Sequence, residues 1–166
     1  MKIKILHSID DCSSKIWDSL FSTDYPFLKH AFISLLESSG SVCDRTGWTP
    51  KHILLEQDGV PVAAMPLYLK NHSSGEYVFD HSWANAYHQH GIQYYPKLVT
   101  AIPFTPVTGP RIGIADGINP DLIELVLLKN IKSLAKKWGA SSWHILFPRY
   151  RLLNGVFSQS LMKRVG

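Results

Sequence analysis

Between Lys2 and His7, lysine alternates with isoleucine and leucine, the two-residue period of a strand. From Asp10 to Phe21 the period lengthens. Ile16, Trp17 and Leu20 then share a helical face behind the capping residues Asp10, Asp11 and Ser13. A second helix is expected from Tyr25-Pro26, with proline in its first turn, to Ser39-Gly40. Phe27, Ala31, Phe32, Leu35 and Leu36 would form its apolar side. The stretch down to Pro50, with Arg45, Gly47 and Trp48, reads as a polar loop. The period returns to two over 52–57 and 60–70, which flank Asp58-Gly59, the strongest short hairpin signal. Pro61 and Pro66 point to an edge or a bulge in the second of these strands. Residues 77–80 read as a short strand, 82–90 as a short helix ended by Gly91, 97–104 as a strand and 105–117 as a loop. The clearest helix spans 119–138. Asn119 caps it, Pro120 opens it, Ile123, Leu127, Ile131, Leu134 and Trp138 form its stripe, lysines gather at its end and Gly139 closes it. A last strand, 142–147, stops at Pro148. The predicted order is β-α-α-β-β-β-(α)-β-α-β, a mixed sheet with helices packed on it.

Length sets the scale: 166 residues suit one domain with a proper core. The charge changes the picture only at the end of the chain. Arg149, Arg151, Lys163 and Arg164 follow Pro148 with no acidic residue among them, so the net charge of +4 belongs to this segment and the body before it is balanced. A balanced body argues against a DNA-binding face. Residues 148–166 read as a solvated basic tail or a truncation edge, and 1–147 as the domain. No apolar run approaches a membrane span, and Cys12 and Cys43 lack the spacing of a ligand pair, which fits a reducing, cytoplasmic setting.

The chemistry concentrates between Glu76 and Arg111. This stretch holds seven aromatic residues, three of the eight histidines and four of the ten prolines, with only Glu76, Asp80, Lys97 and Arg111 charged. Such a mixture suits the lining of a cleft as well as an irregular aromatic core. Phosphate loops, HExxH, CxxC and GxSxG are absent. His88 and His90, with His81 upstream, would share a face on a strand but diverge on the helix expected here, so no metal site is assigned.

Three runs carry a resemblance: SGSVCDRTGWTPKHILLE (39–56), PLYLKNHSSGEYVFDHSWANAY (66–87) and YYPKLVTAIPFTPVTGPR (94–111). Together they resemble the N-terminal half of a bacterial FemAB-like, GNAT-type N-acyltransferase family, described as peptidoglycan-biosynthesis proteins. The resemblance covers most of 20–147. It implies an α/β (α+β) fold with a GNAT-like mixed, mostly antiparallel sheet and helices packed on both faces. It also implies transfer of an acyl or aminoacyl group from acyl-CoA or aminoacyl-tRNA to a small-molecule or peptide amine. Such chemistry needs a base, oxyanion donors and a proton for the leaving group. The candidates are Asp80 or His81 as base, Tyr87 or Tyr94 as proton donor, Thr105 and Thr108 as hydrogen-bond donors, and Lys97 or Arg111 for an anionic substrate, with Trp83 as a contact surface. The family's diphosphate-binding turn has a different glycine spacing from residues 111–117, RIGIADG, and Asp116 there opposes a phosphate. The chain is therefore expected to be an acceptor-shaping half that works with a second GNAT-like domain or as a homodimer. The alternative is a non-catalytic pairing module that has lost its donor site.

Overall fold

The computed structural model describes residues 1–21, 25–78, 80–149, 152 and 157. One long bent hairpin organises it. Its arms are β2 (Trp48–Pro50) continuing into β3 (His52–Gln57), and β4 (Val60–Met65) continuing into β5 (Tyr68–Lys70). Asp58 (φ 52°) and Gly59 (φ 81°) are both left-handed, as a two-residue hairpin turn demands. The register slips at Leu55/Glu56 opposite Pro61, the bulge that proline called for. Pro66 ends β4 and bends the arm. There the N–H of Leu67 donates to His52 Nδ1 (3.3 Å) instead of to a strand. The other imidazole nitrogen, Nε2, therefore carries the proton and donates to Glu37 Oε1 at 2.9 Å.

The bend distributes the strands between two four-stranded sheets. The first has the order β1-β3-β4-β7, with β1 at Lys2–Leu6 and β7 at Gly113–Ile114. The second has the order β2-β5-β6-β8, with β6 at Lys97–Thr100 and β8 at Trp143–Ile145. Among the described strands every pairing is antiparallel except β6 with β8, which the crossover helix α4 (Pro120–Lys137) makes parallel. Helices cover both faces. Leu54 and Ala64 pack with Trp17 and Leu20 of α1 (Ser14–Leu20) and Ile33 of α2 (His30–Ser38). Their strand neighbours Ile53, Leu55, Ala63 and Met65 turn the other way, onto Ile123, Leu127 and Ile131 of α4.

Several sequence expectations need correction. The helix expected from Tyr25 is a 3₁₀ turn, Pro26–Leu28, followed by α2 after a break at Lys29. Ile33 is its buried residue, while Leu35 is 70% exposed, because the break shifts the helical phase. The polar loop before Pro50 contains β2, whose Trp48 is wholly buried. Of the strand expected at 77–80, residues 77, 78 and 80 are not in a strand and Phe79 lies outside the described residues. Tyr77 is left-handed (φ 57°), and its segment instead leads into α3 (His81–Gln89). The loop 105–117 contributes β7. Leu152 and Phe157, in the segment read as a basic tail, are helical, and Phe157 is core: its ring meets Trp143 at 5.4 Å. The remaining tail residues lie outside the described ones.

The turn at 107–111 ties the two sheets together. Arg111 is 1% exposed and donates to three carbonyls, those of Leu146 (2.7 Å), Pro110 (2.8 Å) and Val107 (2.7 Å). Tyr25 closes over Gly109, where a Cβ would stand 2.3 Å from the ring. Gly109→Ala must displace that ring, at an expected cost of about 1–3 kcal/mol, as for other overpacked sites. A fall in the thermal unfolding midpoint would measure it; an unchanged midpoint would mean the ring is not held there.

Candidate functional site

The stretch 70–97 folds around a lysine. Lys97, the first residue of β6, is wholly buried. Its ammonium uses all three donors: to Asp80 Oδ2 at 2.5 Å, to Glu76 Oε2 at 2.8 Å and to Ser73 Oγ at 2.7 Å. Tyr94 Oη donates to the same Asp80 oxygen at 2.7 Å, and Ser73 Oγ pairs with Tyr95 Oη at 2.8 Å. Lys70, also wholly buried, donates to the Ser74 carbonyl at 3.1 Å and stands 3.8 Å from the centre of the Trp48 ring. Two lysines and two carboxylates thus form an electrically balanced cluster out of reach of water. Among the described residues, Glu76 Oε1 and Asp80 Oδ1 are buried without a hydrogen-bond partner.

The cluster spreads its members' proton affinities apart. Burial pushes Asp80 up, but the hydrogen bonds from Lys97, Ser73 and Tyr94 outweigh it and hold the carboxyl at about 2. Burial wins at Glu76 and raises it against the pull of Lys97 and Lys70. Burial, with Lys97 nearby, lowers Lys70 to about 8 against the opposing pull of Glu76. Burial and the anionic Asp80 raise Tyr94, so its phenol stays protonated. Asp80 is therefore an anion with little appetite for a proton, and a weak general base by itself.

Asp80 stands at the N-cap position of α3, and the cluster pins that end of the helix to the core. The rest of α3 stays open: none of its nine residues is buried. Trp83 is 48% exposed, and Tyr77 (59%) and Ile92 (56%) are exposed in the flanking segments. Tyr87 meets the ring of Tyr94 at 5.2 Å, and Tyr94 meets Tyr95 at 4.9 Å and His144 at 6.2 Å. Burial and Lys97 lower His144 to about 4.

The structure thus brings Asp80, Tyr94 and Lys97 together, with Tyr87 one ring away. His81 and Trp83 lie outside on α3. Thr105 donates to the Pro103 carbonyl at 3.0 Å, Thr108 is exposed and Arg111 is committed to carbonyls. Lys97 and Arg111 are both buried, and their hydrogen bonds to these partners brace the fold. The sequence reading left out Glu76, Ser73, Lys70 and Trp48. A signal existed for two of them: a lysine and a glutamate in otherwise apolar surroundings need partners when buried. His81, His88 and His90 spread over the helix, and among the described residues no three potential metal ligands converge.

A second feature lies at the N-terminus of α4, where a cleft of about 380 Å³ runs between β7, the end of α1 and Pro120. Among the described residues its charged lining is Arg111, Asp116, Glu124 and Arg149. Arg111 is spent on carbonyls, and Glu124 Oε2 accepts from the N–H of Phe157 at 3.2 Å.

Comparison with known proteins places this geometry. The profile of the FemAB-like family, described as peptidoglycan biosynthesis/recognition, matches residues 8–166. The chain belongs to the FemAB-like family. The FemAB-like chain also shares its fold with solved acetyltransferases. One is a ribosomal-protein-alanine N-acetyltransferase from Brucella melitensis biovar Abortus 2308, with a TM-score of 0.56 and 12% identity over 99% of this chain and 93% of that one. Another is a probable acetyltransferase, with a TM-score of 0.52 and 15% identity over 100% of this chain and 92% of that one. These likenesses bear out the GNAT-like mixed sheet and say nothing finer. No curated protein sequence matches the chain significantly. No helix among the described residues is long and apolar enough to cross a membrane.

Proposed function

We propose that this FemAB-like chain is an N-acyl- or aminoacyltransferase-type domain that shapes the acceptor side of the reaction. Family membership and the shared acetyltransferase fold support the reaction class. The observation that carries the acceptor role is α3. Its N-terminus is fastened to the core by a buried lysine–carboxylate cluster, yet it buries none of its own residues and presents Trp83 to solvent. A helix held this firmly and left this bare is built as a contact surface. In this reading Trp83 and Tyr87 hold the acceptor, and His81 at the first turn takes the amine proton. Asp80, Tyr94 and Lys97 fix the helix that carries them.

The donor, acyl-CoA or aminoacyl-tRNA, is then held elsewhere, by a second GNAT-like domain or a second copy. The glycine spacing of 111–117 and the carboxylate of Asp116 in the cleft at α4 support this, since a diphosphate is held by backbone N–H groups and opposed by a nearby anion. Two free cysteines are compatible with a cytoplasmic setting.

Calorimetry with acetyl-CoA, with a tryptophan-fluorescence titration in parallel, tests the division of labour. The expected result is no saturable binding by the folded chain. Micromolar binding would overturn the acceptor-only role and make the cleft at α4 a donor site. For the acceptor surface, a lysine-containing peptide titrated against the chain and its Trp83→Ala variant is expected to bind only the former. Equal binding would sink α3 as the acceptor surface.

A further inference from the structure

Among the described residues, strand β8 closes one side of the second sheet. The Ser142 carbonyl accepts from Leu98, and the Leu146 N–H donates to Thr100, so residues 142, 144 and 146 face β6. The alternation of a strand then turns the N–H and C=O groups of Trp143 and Ile145 outward. Among the described residues nothing hydrogen-bonds to these groups, and both residues are only half-buried.

Beside this edge lies a groove of about 400 Å³ between the second half of α4 and the start of β8. Leu128, Ile131, Ala135 and Trp143 give it an apolar lining. Among the described residues, Lys132 and Lys136, both exposed, are its charged lining, and no acidic residue lines it. An open strand edge calls for an extended backbone, an apolar groove for alternate apolar side chains, and a lysine rim for carboxylates.

We propose that β8 and this groove bind an extended acidic peptide. Its backbone adds to β8 as a further strand, its apolar side chains on the α4 side enter the groove, and its carboxylates meet Lys132 and Lys136. A second copy of this chain suits the surface less well. The outer strand β1 carries exposed Lys2 and Lys4, and a β8–β8 pairing would set each lysine rim near its own copy.

The test is fluorescence anisotropy at low ionic strength with a labelled peptide that alternates glutamate and valine, against the same peptide with lysine for glutamate. Saturable binding of the acidic peptide alone is expected. Ile145→Pro removes an outward N–H and no ladder bond, the one place where an edge strand tolerates proline. That variant, and Lys132→Glu with Lys136→Glu, should each weaken binding about tenfold or more. If Ile145→Pro does not fold, hydrogen exchange on the unmodified chain replaces it: the peptide should protect the amides of Trp143 and Ile145. The proposal fails if nothing saturates, if the lysine peptide binds as well, or if neither the lysine variants nor the amide protection responds. It also fails if sedimentation shows a dimer through this edge that the lysine reversals abolish, which would assign the edge to a second copy.

Discussion

Replacing Lys97 by methionine is expected to destabilise the protein by about 3–5 kcal/mol at neutral pH, the cost of leaving buried carboxylates without their cation. The ammonium makes three short bonds inside the core, two of them to the carboxylates of Asp80 and Glu76. Methionine fills the volume and supplies none of these. Urea unfolding at neutral pH reads the loss directly. The sign of the acid dependence follows from Asp80. Its folded value, about 2, lies below the ordinary 3.8, so its contribution is present above pH 3.8 and is lost as pH falls toward 2. In the variant the carboxyls bind protons at higher pH, and this acid-sensitive window moves upward. Adding Glu76→Gln and Asp80→Asn should recover part of the loss, because neutral amides do not need the cation. A loss below about 1 kcal/mol for Lys97→Met, the range of exposed pairs, would mean the cluster is solvated.

The opposite outcome is expected at Lys70. This lysine is as buried as Lys97, but its partners are one carbonyl and the face of Trp48. Its folded value of about 8 lies below the ordinary 10.5. The folded state therefore releases the proton first, and stability rises as pH climbs from 8 to 10.5. This contribution is complete above 10.5 and is lost as pH falls through 8. At about 1.4 kcal/mol per pH unit, the difference amounts to about 3 kcal/mol. Lys70→Met should recover only part of that at pH 7, because Glu76 loses a neighbouring cation and the contacts with Ser74 and Trp48 go with it, and it should lose the alkaline rise. Comparing unfolding curves of the two proteins from pH 7 to 10.5 isolates this group from the other lysines and tyrosines. Parallel profiles would show that Lys70 stays charged at no cost, and that Glu76 or solvent compensates it.

The contrast between these lysines bears on the proposed function. Lys97 anchors α3, so its loss should free the helix as well as weaken the fold. Lys70 sits behind it, against Trp48, and should leave the helix in place. Hydrogen exchange on residues 81–89 separates the two effects.

The sequence by itself determined the elements whose causes are local. Asp58-Gly59 sets the hairpin because two adjacent residues must be left-handed there. Asn119, Pro120 and Gly139 bound α4, and its apolar stripe faces the sheet because Ile123, Leu127 and Ile131 recur at helical spacing. The short helix before Gly91 was legible for the same reason, as was the family, from runs of unusual composition. Elements set by distant partners were not legible. Residues 77–80 look like a strand, but among the described residues Tyr77, Val78 and Asp80 pair with none. The helical phase of α2 follows from the break at Lys29. Gly113 and Ile114 become β7 only because Ala63 and Ala64 lie alongside.

The same division runs through the candidate site. The sequence marked Asp80, Tyr94 and Lys97 as unusual, and α3 as a place for exposed rings. Only the tertiary structure decided that Lys97 and Arg111 face inward, that Asp80 is held by a lysine seventeen residues away in the chain, and that Lys70 joins it. Burial is a property of the assembled fold, and a charge reads as surface until packing removes its water.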